Sequence, residues 1–182
     1  MDRKCFNDLW KMNKVPPNQQ IQEWRFFLEF VEAYFNDRNI INPLVVEIGS
    51  ENNMQKYFYE KLLGATHIGI DIKSSKKPDI LGDTNDISTF NNLKNILAGR
   101  PINLLFIDGG HEYETVKNDY KLYGSLTKNI IAFHDIKCMW DEVEVRLFWP
   151  EVCIAEPRST KIEFYIKRKR PNMGIGLLIR ED

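Results

Sequence analysis

A chain of 182 residues with 43% hydrophobic and 28% charged side chains has the make-up of an ordinary globular protein and enough length to bury one core. Its formal net charge of -1 offers no global attraction to nucleic acid or anionic lipid. Cys5, Cys138 and Cys153 are widely spaced with no CxxC pair, which argues against both a disulfide frame and a zinc cluster.

The N-terminal stretch MDRKCFNDLWKMNK is charged and lacks the apolar core of a signal peptide. No apolar run approaches the roughly 20 residues that cross a bilayer, so the expectation is a cytoplasmic protein without membrane contact. The first clear element is a helix through QIQEWRFFLEFVEAYF, where Ile21, Trp24, Leu28, Val31 and Phe35 recur at three- and four-residue steps. Phe26, Phe27, Phe30 and Tyr34 widen that stripe. Such a face packs on a sheet or forms a homodimer contact. Asn42-Pro43 stops any continuation of the helix.

From Leu44 the pattern changes. LVVEIG reads as a buried parallel strand, MQKYFYEKLLG as a helix closed by Gly64, and THIGIDI as a second strand. KKPDILGD carries a short third strand, and STFNNLKNILAG is a helix stopped by Gly99. NLLFIDGG is the fourth strand, HEYETVKNDYKLYGSL a helix, and NIIAFHDI the fifth strand. KIEFYIKRK, a turn at Pro171-Asn172 and MGIGLLIR then form an antiparallel hairpin at the sheet edge. The expected fold is α/β, a Rossmann-like three-layer sandwich with a mostly parallel sheet. The chain reads as one domain, with a helical segment over 1–43 and the core over 44–182.

Ligands of open parallel sheets bind beyond the carboxyl ends of the strands. Here those ends carry Glu47 with Gly49-Ser50, then Asp71, Asp83, Asp108 with His111, and His134-Asp135. Gly49 permits close approach of a ligand to the first strand-to-helix turn. Asp71, about 20 residues further on, stands where a carboxylate accepts both hydroxyls of a ribose, or else simply caps a turn. Asp108 and Asp135 on neighbouring strand ends could reach one cation, although Asp108 could also cap the next helix. His111, read as the start of that helix, would have its pKa lowered by the positive helix end. His134 reads as a hydrogen-bonded structural histidine, and His67 as structural with no evident partner.

VVEIGS, IGIDIK, ILGDTND, LLFIDGGHEYETVKNDYKLYGSL and NIIAFHDI, in this order, resemble the motifs of class I S-adenosylmethionine-dependent methyltransferases. They are most similar to the small metal-associated branch with cephalosporin-hydroxylase-like proteins and sugar O-methyltransferases. The resemblance covers about Leu44 to Trp149, and IDGGHEYETVKNDY is its specific part. It implies that Glu47, Gly49 and Ser50 hold the amino-acid end of S-adenosyl-L-methionine. It implies ribose contact at Asp71 and adenine contact at Asp83 and Thr84. It further implies that Asp108 and Asp135 are ligands of Mg2+ or another divalent cation, that Asp108 also contacts the cofactor and is catalytic together with His111, and that His111 is the general base. Asn53 departs from the family in replacing a second glycine, a place where asparagine tolerates a left-handed backbone. His134 departs in replacing an acid, which favours manganese or iron over magnesium, or no metal.

The expected function is therefore methyl transfer to a small hydroxylated acceptor, such as a sugar or another metabolite. The alternatives are a non-catalytic domain that binds the same nucleoside and, from the shared sheet architecture, a nicotinamide-dependent oxidoreductase. The last lacks a GxGxxG turn. HEYET has Thr115 where a zinc-protease helix needs histidine. Tyr113, Val116, Tyr120 and Tyr123 read as a core stripe, and Lys167–Arg170 as a solvated edge, so nucleic acid is not the expected partner. Trp140, Phe148 and Trp149 line either a substrate wall or the core.

Overall fold

The computed structural model describes residues 1–12, 19–51, 53–73, 77–167 and 173–180. Two helices, α1 (Arg3–Met12) and α2 (Ile21–Asp37), precede the first strand. Strands and helices then alternate as β1 (Leu44–Ile48), α3 (Met54–Leu63), β2 (Thr66–Asp71), β3 (Ile80–Leu81) and α4 (Ile87–Leu97). They continue as β4 (Ile102–Ile107), α5 (Tyr113–Gly124), β5 (Thr127–His134), α6 (Val145–Ala155), β6 (Thr160–Phe164) and β7 (Ile175–Ile179). The expected hairpin turn at Pro171-Asn172 and most of the basic run lie outside the described residues.

The strands form one sheet in the order β3-β2-β1-β4-β5-β7-β6. β1 to β5 pair in parallel, while β7 runs antiparallel to both β5 and β6. The predicted hairpin is present, but its second strand enters the sheet and its first strand becomes the edge. Composition explains the exchange. β7 (IGLLI) is apolar throughout and buried, whereas β6 (TKIEF) carries Lys161 and Glu163 and tolerates solvent.

Two apolar clusters sandwich the sheet. On one face α4, α5 and α6 cover Leu44, Val46, Ile48, Leu105, Ile131 and Phe133. On the other, α1, α2 and α3 cover Val45, Leu104, Phe106, Ile130 and Ala132. The period of two along each strand assigns alternate side chains to the two clusters. Trp24, Leu28, Val31 and Phe35 of α2 are buried in the second cluster, so the broad stripe packs on the chain's own sheet. Ile21 and Phe26 fall outside it and are exposed. Trp24 meets Phe27, Tyr59 and Phe106 at ring separations of 5.2 to 5.6 Å. Aromatic pairs of this kind contribute about 1 kcal/mol each beyond area burial. No helix among the described residues is long and apolar enough to cross a membrane.

Candidate active site

Several strand ends open onto one cleft of about 730 Å³. It straddles the boundary between β1 and β4, where the strand order reverses and the connecting loops part to opposite faces. Gly49 turns the chain at the end of β1 with φ 79°. Its amide and that of Ser50 both donate to the Ile70 carbonyl oxygen, at 2.9 and 3.2 Å. Asn53 then enters α3 in the left-handed conformation, φ 54°, as expected of an asparagine in a glycine's place.

Asp71 lines this cleft. Its Oδ2 accepts the Glu51 amide at 2.9 Å and its Oδ1 accepts the Lys73 amide at 2.8 Å. The carboxylate thus anchors the loop, and each oxygen retains acceptor capacity for a ligand hydroxyl. Asp83 and Thr84 also face the cleft, and Asp83 Oδ1 accepts both the backbone amide and Nδ2 of Asn85.

Glu47 and Ser50 require correction. Neither lines the cleft. Glu47 shares the parity of Val45, so it points beneath the sheet, fully buried, with Oε2 2.9 Å from Nε2 of His67. His67, which had no evident partner in the sequence, also stacks on Tyr59 at 5.3 Å. Burial pushes the Glu47 carboxyl above its ordinary pKa, against the opposing pull of His67. Ser50 is fully buried, and a Cβ on Gly69 would stand 2.7 Å from its hydroxyl. Truncation at Glu47 therefore tests folding and not ligand contact. Glu47→Ala is expected to cost about 1–3 kcal/mol in urea unfolding by stranding His67, with nucleoside affinity changed less than threefold.

The chemistry gathers where β4 and β5 end. The His111 Nε2 lies 3.1 Å from Oδ2 of Asp135, and Nδ1 of His134 lies 2.8 Å from Oδ1 of Asp108 and 3.4 Å from Oδ2 of Asp135. One ligand atom from each of Asp108, His111 and Asp135 lies within 4.8 Å of the others. Asp135 adopts φ 62°, an uncommon conformation for a side-chain-bearing residue, and strain of this sort concentrates at functional sites.

His111 is not helical. α5 begins at Tyr113, whose amide is capped by the Glu144 carboxylate at 2.8 Å, so Asp108 is not the cap. Nor is the His111 pKa lowered: the hydrogen bond to Asp135 raises it, against partial desolvation. A carboxylate in contact outweighs the partial charge of a helix end two residues away. Burial alone would depress His134, but the Asp108 and Asp135 carboxylates hold it well above its ordinary value. Burial would raise Asp135, yet the two imidazoles hold it well below the usual carboxylate range.

One contributor carries no sequence signal of its role. Gln19, just ahead of α2, is buried and donates its Nε2 to Oδ2 of Asp108 at 2.8 Å, across a separation of 89 residues. Trp140 lines the cleft while half-exposed, whereas Phe148 and Trp149 belong to the core.

No protein-family model matches the chain, and no curated protein matches it in sequence. Solved structures do share its architecture. An O-methyltransferase from Bacillus cereus in complex with SAH has a TM-score of 0.60 at 12% identity, over 99% of this chain and 92% of its own. The O-methyltransferase TomG from Streptomyces achromogenes, in complex with SAM, gives 0.60 at 10% identity, over 98% and 90%. The MycE methyltransferase of the mycinamycin biosynthetic pathway, in complex with Mg, SAH and mycinamycin VI, gives 0.61 at 14% identity. That match covers 94% of this chain and 53% of MycE. At these identities the likeness establishes the Rossmann-like fold.

Proposed function

We propose that the protein is an S-adenosylmethionine-dependent O-methyltransferase acting on a small hydroxylated acceptor. The carrying observation is convergence: Asp71, Asp83, Asp108, His111 and Asp135 come from four separate strand ends and face one cleft. The structures solved with SAM or SAH that share this fold support the same ligand.

Charge narrows the choice among nucleoside ligands. Among the described residues, six carboxylates (Glu51, Asp71, Asp83, Asp108, Glu112 and Asp135) line the cleft against one lysine, Lys73, and the His111 and His134 imidazoles. Such a wall favours a sulfonium cation and disfavours the pyrophosphate of a nicotinamide dinucleotide. S-adenosylmethionine supplies an electrophilic methyl group. The chain's part is to bind it, to orient the acceptor and to take the acceptor's proton. His111 is the group for the last task, half-exposed to the cleft and tethered at Nε2 by Asp135. The carboxylate stabilises the imidazolium that forms when the hydroxyl proton arrives.

A divalent cation fits the same cluster. Oδ1 of Asp135 is buried with no hydrogen-bond partner among the described residues, so it keeps lone pairs for a cation. Asp108 and Asp135 would hold the ion through their carboxylate oxygens, while His111 stays tethered to Asp135 at the edge of the same cluster. When bound, it would lower the pKa of a hydroxyl in contact with it.

Calorimetry with S-adenosylmethionine tests the reading. Asp71→Ala is expected to weaken binding about 100-fold, the loss of two hydroxyl hydrogen bonds to a charged acceptor. Equal affinity in both proteins would sink the proposal. Intact binding without transfer to a panel of sugar and phenolic hydroxyls, with and without Mn2+ or Mg2+, would favour a non-catalytic binding domain.

A further inference from the structure

The nucleoside end of the cleft rests on one face of α5. Thr115, Asp119 and Tyr123 follow at four-residue steps and so line a single side of that helix. Thr115 reaches the cleft wall. One turn on, Asp119 lies under the Gly82–Asn85 loop, and one turn further the Tyr123 hydroxyl donates to the Thr84 carbonyl oxygen at 3.1 Å. Asn118 adds a hydrogen bond from its Nδ2 to Oδ1 of Asn85 at 2.8 Å. The loop is clamped from below at two consecutive residues.

Asp119 is the odd member of this clamp. It is fully buried, and neither carboxylate oxygen closes a well-formed hydrogen bond, although Thr84 lies near enough to favour its charged form. A buried carboxyl without full hydrogen bonding costs stability unless it is neutral. Asparagine would fill the same volume without the cost of a buried charge. An ionisable group kept at such a place, against the floor of a ligand site, points to a role in that site.

We propose that Asp119 is a positioning residue for nucleoside binding, which supports the Gly82–Asn85 loop from beneath through Thr84 and makes affinity depend on its own proton. The proposal rests on the nucleoside-binding reading given above. Burial, offset in part by Thr84 and reinforced by the Asp83 charge, pushes the Asp119 carboxyl up to about 7. The groups that face it are Asp83 and Thr84 from the loop and Tyr123 from its own helix. Asp86 acts on Tyr123, and from α4 the Phe90 ring packs on Tyr123 at 5.5 Å, with Lys94 Nζ 5.7 Å from the centre of that ring. The protonated carboxyl fits a dry site under a seated purine. The ionised carboxylate draws water, repels Asp83 and loosens the loop.

The test is calorimetric titration with S-adenosylhomocysteine between pH 6 and pH 8.5 for the parent protein, Asp119→Asn and Asp119→Ala. The parent is expected to lose roughly tenfold in affinity from pH 6 to pH 8 as the competent fraction falls. Asp119→Asn, a mimic of the neutral acid, should bind at pH 8 about as the parent binds at pH 6. Asp119→Ala should bind weakly throughout. Melting curves give the second readout. The native acid keeps its proton between pH 4 and pH 7 where the unfolded chain has lost it, so parent stability falls across that window. Asp119→Asn removes the fall and should match or exceed the parent above pH 7. Parallel pH profiles for the parent and Asp119→Asn would overturn the proposal, as would Asp119→Asn binding no better than Asp119→Ala. Failure of the parent to bind at any pH would instead overturn the nucleoside reading.

Discussion

In an Asp135→Asn variant, methyl transfer is expected to fall by three to four orders of magnitude while the fold persists. Asp135 touches both imidazoles of the cluster, His111 at 3.1 Å and His134 at 3.4 Å. Asparagine removes the charge that stabilises an imidazolium and presents the wrong donor to one of the two rings. In a nucleophile–histidine–aspartate triad the same exchange costs about 10⁴ in turnover. Asparagine also accepts the left-handed backbone found here at φ 62°, so strain does not confuse the result. The titration sign can be followed by NMR of the His111 ring. Because Asp135 raises the His111 pKa, the base form appears only as the pH climbs above the ordinary value of 6.5, and the metal-free rate should rise across that range. In the variant the inflection should move down toward 6.5 as the rate falls. Unchanged turnover, or an unmoved inflection, would remove Asp135 and His111 from the reaction.

Gly49→Ala should be nearly as damaging, by a different route. A Cβ at this position would stand 2.1 Å from the Asp108 carbonyl oxygen and 2.7 Å from Cα of Gly109. Both are backbone atoms of the neighbouring loop, so no side chain can swing aside. The φ of 79° adds a cost of about 1–2 kcal/mol for any L side chain. Together with overpacking, the loss should reach about 3–5 kcal/mol in urea unfolding, with nucleoside binding lost in whatever remains folded. Gly99→Ala is the control. It has φ 84° but open space around the added carbon, and should cost only about 1 kcal/mol. Equal losses at the two glycines would show that the contact with Asp108 is unimportant.

The order of strands and helices from Leu44 to His134 follows from local pattern, because apolar β-branched runs and three- to four-residue periodicity are properties of short windows. The row of acids at strand ends is legible for the same reason: parallel wiring places every strand's carboxyl end on one rim. Asp71, Asp83, Thr84, Asp108, His111 and Asp135 are therefore foreseeable as neighbours of one cleft. α6 is less readable, since it runs unbroken through Pro150, a residue that ordinarily breaks a helix.

The remaining features depend on which way a side chain turns and what meets it there. Glu47 looks like its fellow strand-end acids, yet the pleat directs it under the sheet to His67, twenty residues away. The pKa of His111 follows from Asp135 across a strand boundary, and not from the helix that begins two residues later. Gln19 reaches Asp108 only because α2 packs on the sheet face beside β4. Sequence determined the periodicities, and through them the layers and the rim. Tertiary packing decided the partners, because burial and Coulomb interaction act over a few ångströms between residues whose separation along the chain carries no information about that distance.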